Sequence, residues 1–261
     1  PTFYKLYYEN VFVRGRKEYL TERQLKNGTG PLLVDFDFRY DISVTKRQHT
    51  QDHIQDMIQL YLEELKEFFV FEEQKPFPIF VMEKPTVNRV VDKNLTKDGV
   101  HMIIGIQMDN TLQLMLRERI LKKLVDVWEL PLTNAWEDVL DEGISKGCVN
   151  WQMYGSQKPG HDAYKLSYFI TAEIDKQDDE FMTVPKNIKD FDLSKDLCLL
   201  SAQYDKHERF EINPKIAAEY KKRLESHPSK MKKSGSKGKV NLVLEEEDNS
   251  DIQLGDIMNL E

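Results

Sequence analysis

Cysteine is nearly absent from this chain, with two among 261 residues, Cys148 and Cys198, in unrelated contexts. Two isolated thiols cannot supply the ligands of a zinc ribbon, and they suit reduced side chains inside a cell better than a disulfide framework. Long apolar runs are missing as well. Each hydrophobic stretch meets a charge within a few residues, so no segment suits a bilayer crossing and no membrane partner is expected. The opening PTFYKLYYENVF lacks the basic-then-apolar order of a secretory signal, and it begins at Pro1 instead of Met, as a partial or processed chain would. No internal repeat is visible. Between 241 and 261 there is no Lys or Arg but there are seven acids, so of the net charge of −8 little remains for the rest of the chain. Local field, not total charge, draws phosphate, and this balance excludes neither nucleic acid nor another substrate.

What is present is ordinary for a globular protein: 40% hydrophobic and 31% charged residues, enough to bury one large domain or two small lobes. The body is expected over 1–224. Residues 225–261, first rich in Ser, Gly and Lys and then acidic, read as a solvated linker or tail in preference to a nucleic-acid-binding arm. Within the body, short apolar runs predict strands over 31–38, 78–82 and 100–106. Ile54, Met57, Ile58, Tyr61, Leu62 and Leu65 recur at helical steps and predict a helix over 49–71. A second helix is expected to start from Asn110 as its cap, and further strands at 139–141, 150–154 and 164–174. Strands alternating with long helices, then strands in succession, imply a mixed α/β or α+β body.

Asp35 and Asp37 are the first candidates for chemistry. Two apart on a strand, they share a face while Phe36 and Phe38 turn into a core. Adjacent carboxylates repel unless a cation lies between them, and Mg²⁺ favours hard oxygen ligands. An edge strand with two solvated acids is the plainer alternative, but the apolar lead-in favours a metal. The second candidate is Lys97-Asp98-Gly99-Val100-His101, at the mouth of an apolar strand. Here Lys97 suits a phosphate and Gly99 admits a ligand close to the backbone. A lone strand histidine is as often structural, and this segment alone divides evenly. The third is Val139-Leu140-Asp141, with Asp138 as a competing acid and a helix cap or surface acid as the plainer reading of Asp141. After it comes Asn150-Trp151-Gln152-Met153-Tyr154-Gly155-Ser156-Gln157-Lys158-Pro159. Aromatics, a Gly-Ser turn and a lysine together suit a nucleotide, although Trp151 reads as core.

In this order, D-x-D, K-x-G-x-H, an apolar pair with Asp, and N-W-x-M-Y-G-S-x-K-P resemble the archaeo-eukaryotic primase superfamily. The likeness is closest to the primase domain of the primase–helicases of large nucleocytoplasmic DNA viruses, and eukaryotic primase–polymerases share the order. It spans at least residues 31–166, and Phe38-Arg39-Tyr40 and Tyr154 to Lys158 match the viral forms. The resemblance implies an α+β core with two mixed sheets, one like the RNA-recognition fold, around a cleft with helices outside. It implies template-directed primer synthesis by nucleotidyl transfer, with Asp35, Asp37 and Asp141 as catalytic ligands of two Mg²⁺ or Mn²⁺ ions. His101 falls on a histidine that contacts the incoming nucleotide's phosphates, Lys97 on a basic residue four positions earlier, and Lys158 on a lysine after the third motif. Gly99 stands where many members have Ser, and Val149 and Gln152 where primase–polymerases place Arg, so Arg39 or Lys158 is expected to compensate. The implied partners are a single-stranded DNA template, NTP or dNTP, and a helicase domain in the same or a partner polypeptide. The implied setting is intracellular, for a virus a cytoplasmic replication factory or the nucleus. A non-catalytic DNA-binding replication subunit and a DxD metal-dependent glycosyltransferase are the competing classes.

Overall fold

Alternation along Gly30–Asp41 sets the layout of the molecule. Leu32, Val34, Phe36, Phe38 and Tyr40 turn to one side and are buried in the main core, leaving Leu33, Asp35, Asp37 and Arg39 on the other. The structure, a computed structural model, describes residues 2–24 and 28–226. In chain order the elements are α1 (Thr2–Tyr8), β1 (Thr21–Glu22), β2 (Gly30–Asp41), α2 (Gln51–Phe68), β3 (Phe69–Val70), β4 (Phe77–Glu83), β5 (Asn88–Val90) and β6 (Leu95–Met108). There follow α3 (Asn110–Val127), α4 (Trp136–Val139), α5 (Glu142–Lys146), β7 (Trp151–Gln152), β8 (Lys165–Asp175), β9 (Glu180–Lys186), α6 (Leu193–Asp196), β10 (Glu211–Ile212) and α7 (Pro214–Ser226).

The fold is α+β. Strands β2, β6, β4, β8 and β9 pair in that order, and β5 adds to β6 beyond the end of β4. The named strands pair antiparallel, as this six-stranded sheet and two two-stranded ribbons, rather than as two mixed sheets. Helices α2 and α3 cover one face, where Phe36 and Phe38 meet Trp128 with ring centroids 5.3 and 5.7 Å apart. Each such side chain, fully buried, contributes about 1.5–3 kcal/mol of transfer free energy. The opposite face carries a smaller core of Leu33, Phe80, Met82, Ile103 and Trp151.

All but one of the expected strands and helices exist, with shifted ends. Helix α2 stops at Phe68 because Phe69–Val70 pairs with Glu211–Ile212. Helix α3 is capped by Asp109, whose carboxylate accepts from the Leu112 N–H at 2.9 Å, while the Asn110 amide reaches Gln24 instead. The strand expected at 139–141 is a single bridge, Leu140 against Phe36, between two short helices. The segment expected as a linker lies, from residue 227 on, outside the described residues.

Candidate active site

The second face of the sheet gathers most of the expected residues into two rows and their edge. Register pairs Asp35 with His101, Asp37 with Gly99 and Arg39 with Lys97, and directly paired residues share a face. Asp35 Oδ1 lies 3.5 Å from His101 Nε2, and Asp37 Oδ2 lies 3.3 Å from Arg39 Nη2. The backbone beside β2 is tied down from outside the sheet. The Asn134 amide donates to the Asp37 carbonyl at 2.9 Å, and its oxygen accepts from the Arg39 N–H at 3.0 Å.

Asp141 comes to the same place by a different route. Its N–H donates to the Asp35 carbonyl at 3.1 Å, next to the Phe36–Leu140 bridge. Arg117, buried on α3, holds this segment by donating to the carbonyls of Leu140 at 2.9 Å and Glu137 at 2.8 Å. Asp141 is also the N-cap of α5, with Oδ1 accepting from the Gly143 N–H at 2.7 Å. Burial and then the charge of Asp35 push its carboxyl above the ordinary value, against the Gly143 and Ile144 N–H groups and Arg117. Asp37 is raised for the same two reasons, burial first, against Arg39 and Lys97.

His101 is adjacent to the acids but enclosed. Its ring lies between Tyr164, with centroids 3.7 Å apart, and Trp151, at 4.2 Å, leaving the side chain 7% exposed. The space that Gly99 leaves is taken by this tyrosine as well: a Cβ there would stand 2.8 Å from Tyr164 Oη and 2.9 Å from the Phe36 carbonyl. The glycine read as room for a ligand thus makes room for a protein hydroxyl.

The Tyr154-Gly155-Ser156 turn faces inward. Tyr154 stacks on Phe12 at 5.8 Å and its hydroxyl accepts from the Leu166 N–H at 3.1 Å. Gly155 has φ +86°, and the ring of Phe12 fills the place of a Cβ. Buried Ser156 shares a 2.7 Å hydrogen bond with the Tyr7 hydroxyl. The Ser156–Tyr7 bond ties this turn to α1, and Lys158, beyond the turn, is exposed. Trp151 is core, as read from the sequence.

Sequence reading missed Lys84, Tyr164, Arg117, Arg47 and Asp98. Asp98 had a readable signal, because strand alternation turns it away from Lys97 and His101, into the core, where a carboxylate needs a partner. Its side chain is 0% exposed and takes a forked contact from Arg47, with Nε at 2.8 Å and Nη2 at 3.0 Å. Arg47 Nη1 also lies 3.1 Å from Glu83 Oε1, which is 2.7 Å from His49 Nε2.

Whether the acids fit divalent cations turns on their mutual arrangement. Asp35 adjoins both Asp37 and Asp141, and its charge raises both of their carboxyls. Among the described residues, however, no group of three or more His, Cys, Asp or Glu side chains is drawn tightly enough to hold one ion. The donors are hard carboxylate oxygens, the kind that Mg²⁺ or Mn²⁺ prefers, and Arg39 and Lys97 offset only part of the repulsion that Asp35 exerts on Asp37.

Residues 1–170 match the family described as the C962R protein N-terminal AEP domain, and the chain belongs to this archaeo-eukaryotic primase family. Over 155 residues, 58% of this chain, it is 33% identical to a protein of Acanthamoeba polyphaga mimivirus named "Putative helicase L207/L206". That stretch is only 16% of the mimivirus protein's length.

Proposed function

We propose that this domain builds nucleic-acid primers on a single-stranded DNA template by nucleotidyl transfer. The observation that carries the reading is Asp35, which has Asp37 and His101 beside it on the sheet and Asp141 bonded to its own carbonyl. Asp35, Asp37 and Asp141 are the residues that would hold the metal ions. Bound there, Mg²⁺ or Mn²⁺ supplies activation of the attacking 3′-hydroxyl and neutralisation of the departing pyrophosphate. The chain's own residues do the rest. His101, fixed by its aromatic neighbours, presents one edge toward the acids and the nucleotide's phosphates, and Lys97, Arg39 and Lys158 balance phosphate charge. The name of the mimivirus relative supports a helicase domain as companion, in the same or a partner polypeptide.

Incubation with single-stranded DNA, Mn²⁺ or Mg²⁺ and labelled NTP or dNTP, with and without a primer, tests the reading. Wild type is expected to incorporate nucleotide, and Asp35→Ala to lose at least about 100-fold while unfolding at a similar temperature. Near-normal synthesis by the folded variant would remove Asp35 from the mechanism. The use of one Asp141 oxygen as a helix cap favours, as a second reading, a domain that binds template without turnover. Template binding without incorporation in the same assay would select it.

A further inference from the structure

We propose that Lys84 is a phosphate-binding residue of this site, receiving a nucleotide's polyphosphate together with Lys158 from the side opposite Asp37. The nucleotide as substrate rests on the function proposed above; the anion site itself rests on placement in the sheet. The last β4–β6 pair is Glu83 with Val100, so Lys84 is the first residue beyond β4, at the end of the sheet where Gly99 follows Val100 along β6. Gly99 is in turn paired with Asp37 on β2. Continued by one residue, the alternation of β4 puts Lys84 on the face that carries Asp35 and His101, across the side-chain-free Gly99 from Asp37.

Two layers hold the lysine there. Above Gly99, the Tyr164 ring that stacks on His101 also carries Lys84, with Nζ 5.1 Å from its centroid. Beneath, the Lys84 carbonyl accepts from Arg47 Nη2 at 2.7 Å, and Arg47 is itself forked onto buried Asp98. A flexible side chain held at its backbone and against a ring loses less freedom when it binds. Burial and the neighbouring charge of Lys158 push the Lys84 ammonium below its ordinary pKa, against the pull of Asp35, Asp37 and Asp98. Two cations near enough to feel each other's charge, beside acids, match an anion with several negative charges in a row, as in the polyphosphate of a nucleoside triphosphate.

The test uses Lys84→Met and Lys84→Arg in the full chain, with thermal unfolding to verify the fold. Primer extension on single-stranded DNA gives the nucleotide KM, the template KM and kcat, and inorganic tripolyphosphate serves as competitor. Lys84→Met is expected to raise the nucleotide KM and weaken tripolyphosphate inhibition by about tenfold or more, with a smaller change in kcat. Lys84→Arg should restore most of the affinity. Combining Lys84→Met with Lys158→Met should cost less than the product of the two single effects, because both serve one ligand. Nucleotide KM and tripolyphosphate inhibition that stay within about twofold of wild type would overturn the proposal. So would a change confined to the template KM, which would assign Lys84 to DNA phosphate. If wild type incorporates no nucleotide, the reaction fails as a reading, and equilibrium binding of tripolyphosphate still decides for Lys84. Weaker binding by Lys84→Met would uphold the anion site and equal binding would remove it.

Discussion

At the scale of single residues, Asp37 carries its charge against its surroundings. Burial and Asp35 raise its carboxyl more than Arg39 and Lys97 lower it, even though the side chain remains 40% exposed. A carboxyl with a raised folded pKa binds its proton more tightly in the folded protein. Its contribution is therefore fully present below the ordinary carboxylate range and is lost as pH rises through the folded value. With chelator present, Asp37→Asn is expected to unfold at a higher temperature than wild type at pH 7. The advantage should shrink as pH falls toward the ordinary carboxylate range, while in separate assays with Mg²⁺ or Mn²⁺ present the variant's nucleotide incorporation is lost at every pH. Melting curves across that range check the sign, and an advantage that grows on acidification would contradict it. His101 differs, because its ring is a packed part of the stack. His101→Ala opens a gap between Trp151 and Tyr164 and is expected to cost about 1–3 kcal/mol in denaturant titrations in addition to nucleotide affinity. The alternation that set Asp35 and Asp37 opposite Phe36 and Phe38 was legible in the sequence, because a period of two needs only neighbours. The cap role of Asp141 was legible as the plainer reading of that acid, but the backbone bond that joins it to Asp35 and the filling of Gly99 by Tyr164 were not, because each depends on a segment distant in sequence.

At the scale of elements, β6 is the member that the site and the core share. Its odd positions present Lys97, Gly99 and His101 to the site, and its even ones bury Asp98, Val100 and Met102. Asp98 is the exception in that apolar row, and Arg47 is what makes it tolerable. Arg47→Met leaves a buried carboxylate short of its forked partner and is expected to lose about 3–5 kcal/mol of stability, read from urea or guanidinium midpoints. The double variant Arg47→Met with Asp98→Leu should recover part of that loss, since an apolar pair leaves no charge unpaired. A double variant no better than Arg47→Met alone would show that the loss comes from the Lys84 carbonyl or Glu83 contacts instead. Helix α2 was readable because its apolar positions repeat at helical steps, and strands β4 and β6 because each holds a short apolar run, buried on both faces. The 139–141 segment was not: three residues hold too little of any period, and its form is set by Arg117 gripping the carbonyls of Glu137 and Leu140. Strand β9 was missed for the opposite reason. As the edge of the sheet it is exposed along most of its length, and its sequence carries no in-and-out pattern to read.

At the scale of the whole molecule, charge is divided along the chain, with seven acids and no base between 241 and 261 against a total of −8. A DNA template is a polyanion, so those acids oppose its approach wherever they lie within a screening length of the bound strand, about 10 Å at 0.1 M salt and about 3 Å at 1 M. The proposed template binding should weaken with added salt, with log affinity falling by about 0.7 per phosphate contact for each unit of log salt. A chain ending at residue 240 is expected to bind single-stranded DNA more tightly than the full chain at low salt, and the two curves should converge as salt rises. Nucleotide incorporation at saturating template should be equal in the two, because every candidate site residue lies between 35 and 158. Fluorescence anisotropy of a labelled oligonucleotide over a salt series distinguishes the possibilities. Parallel curves would assign the difference to something other than charge. Coincident curves at low salt would place the acids beyond reach of the template and leave the charges of residues 1–240 to set the field that the DNA meets.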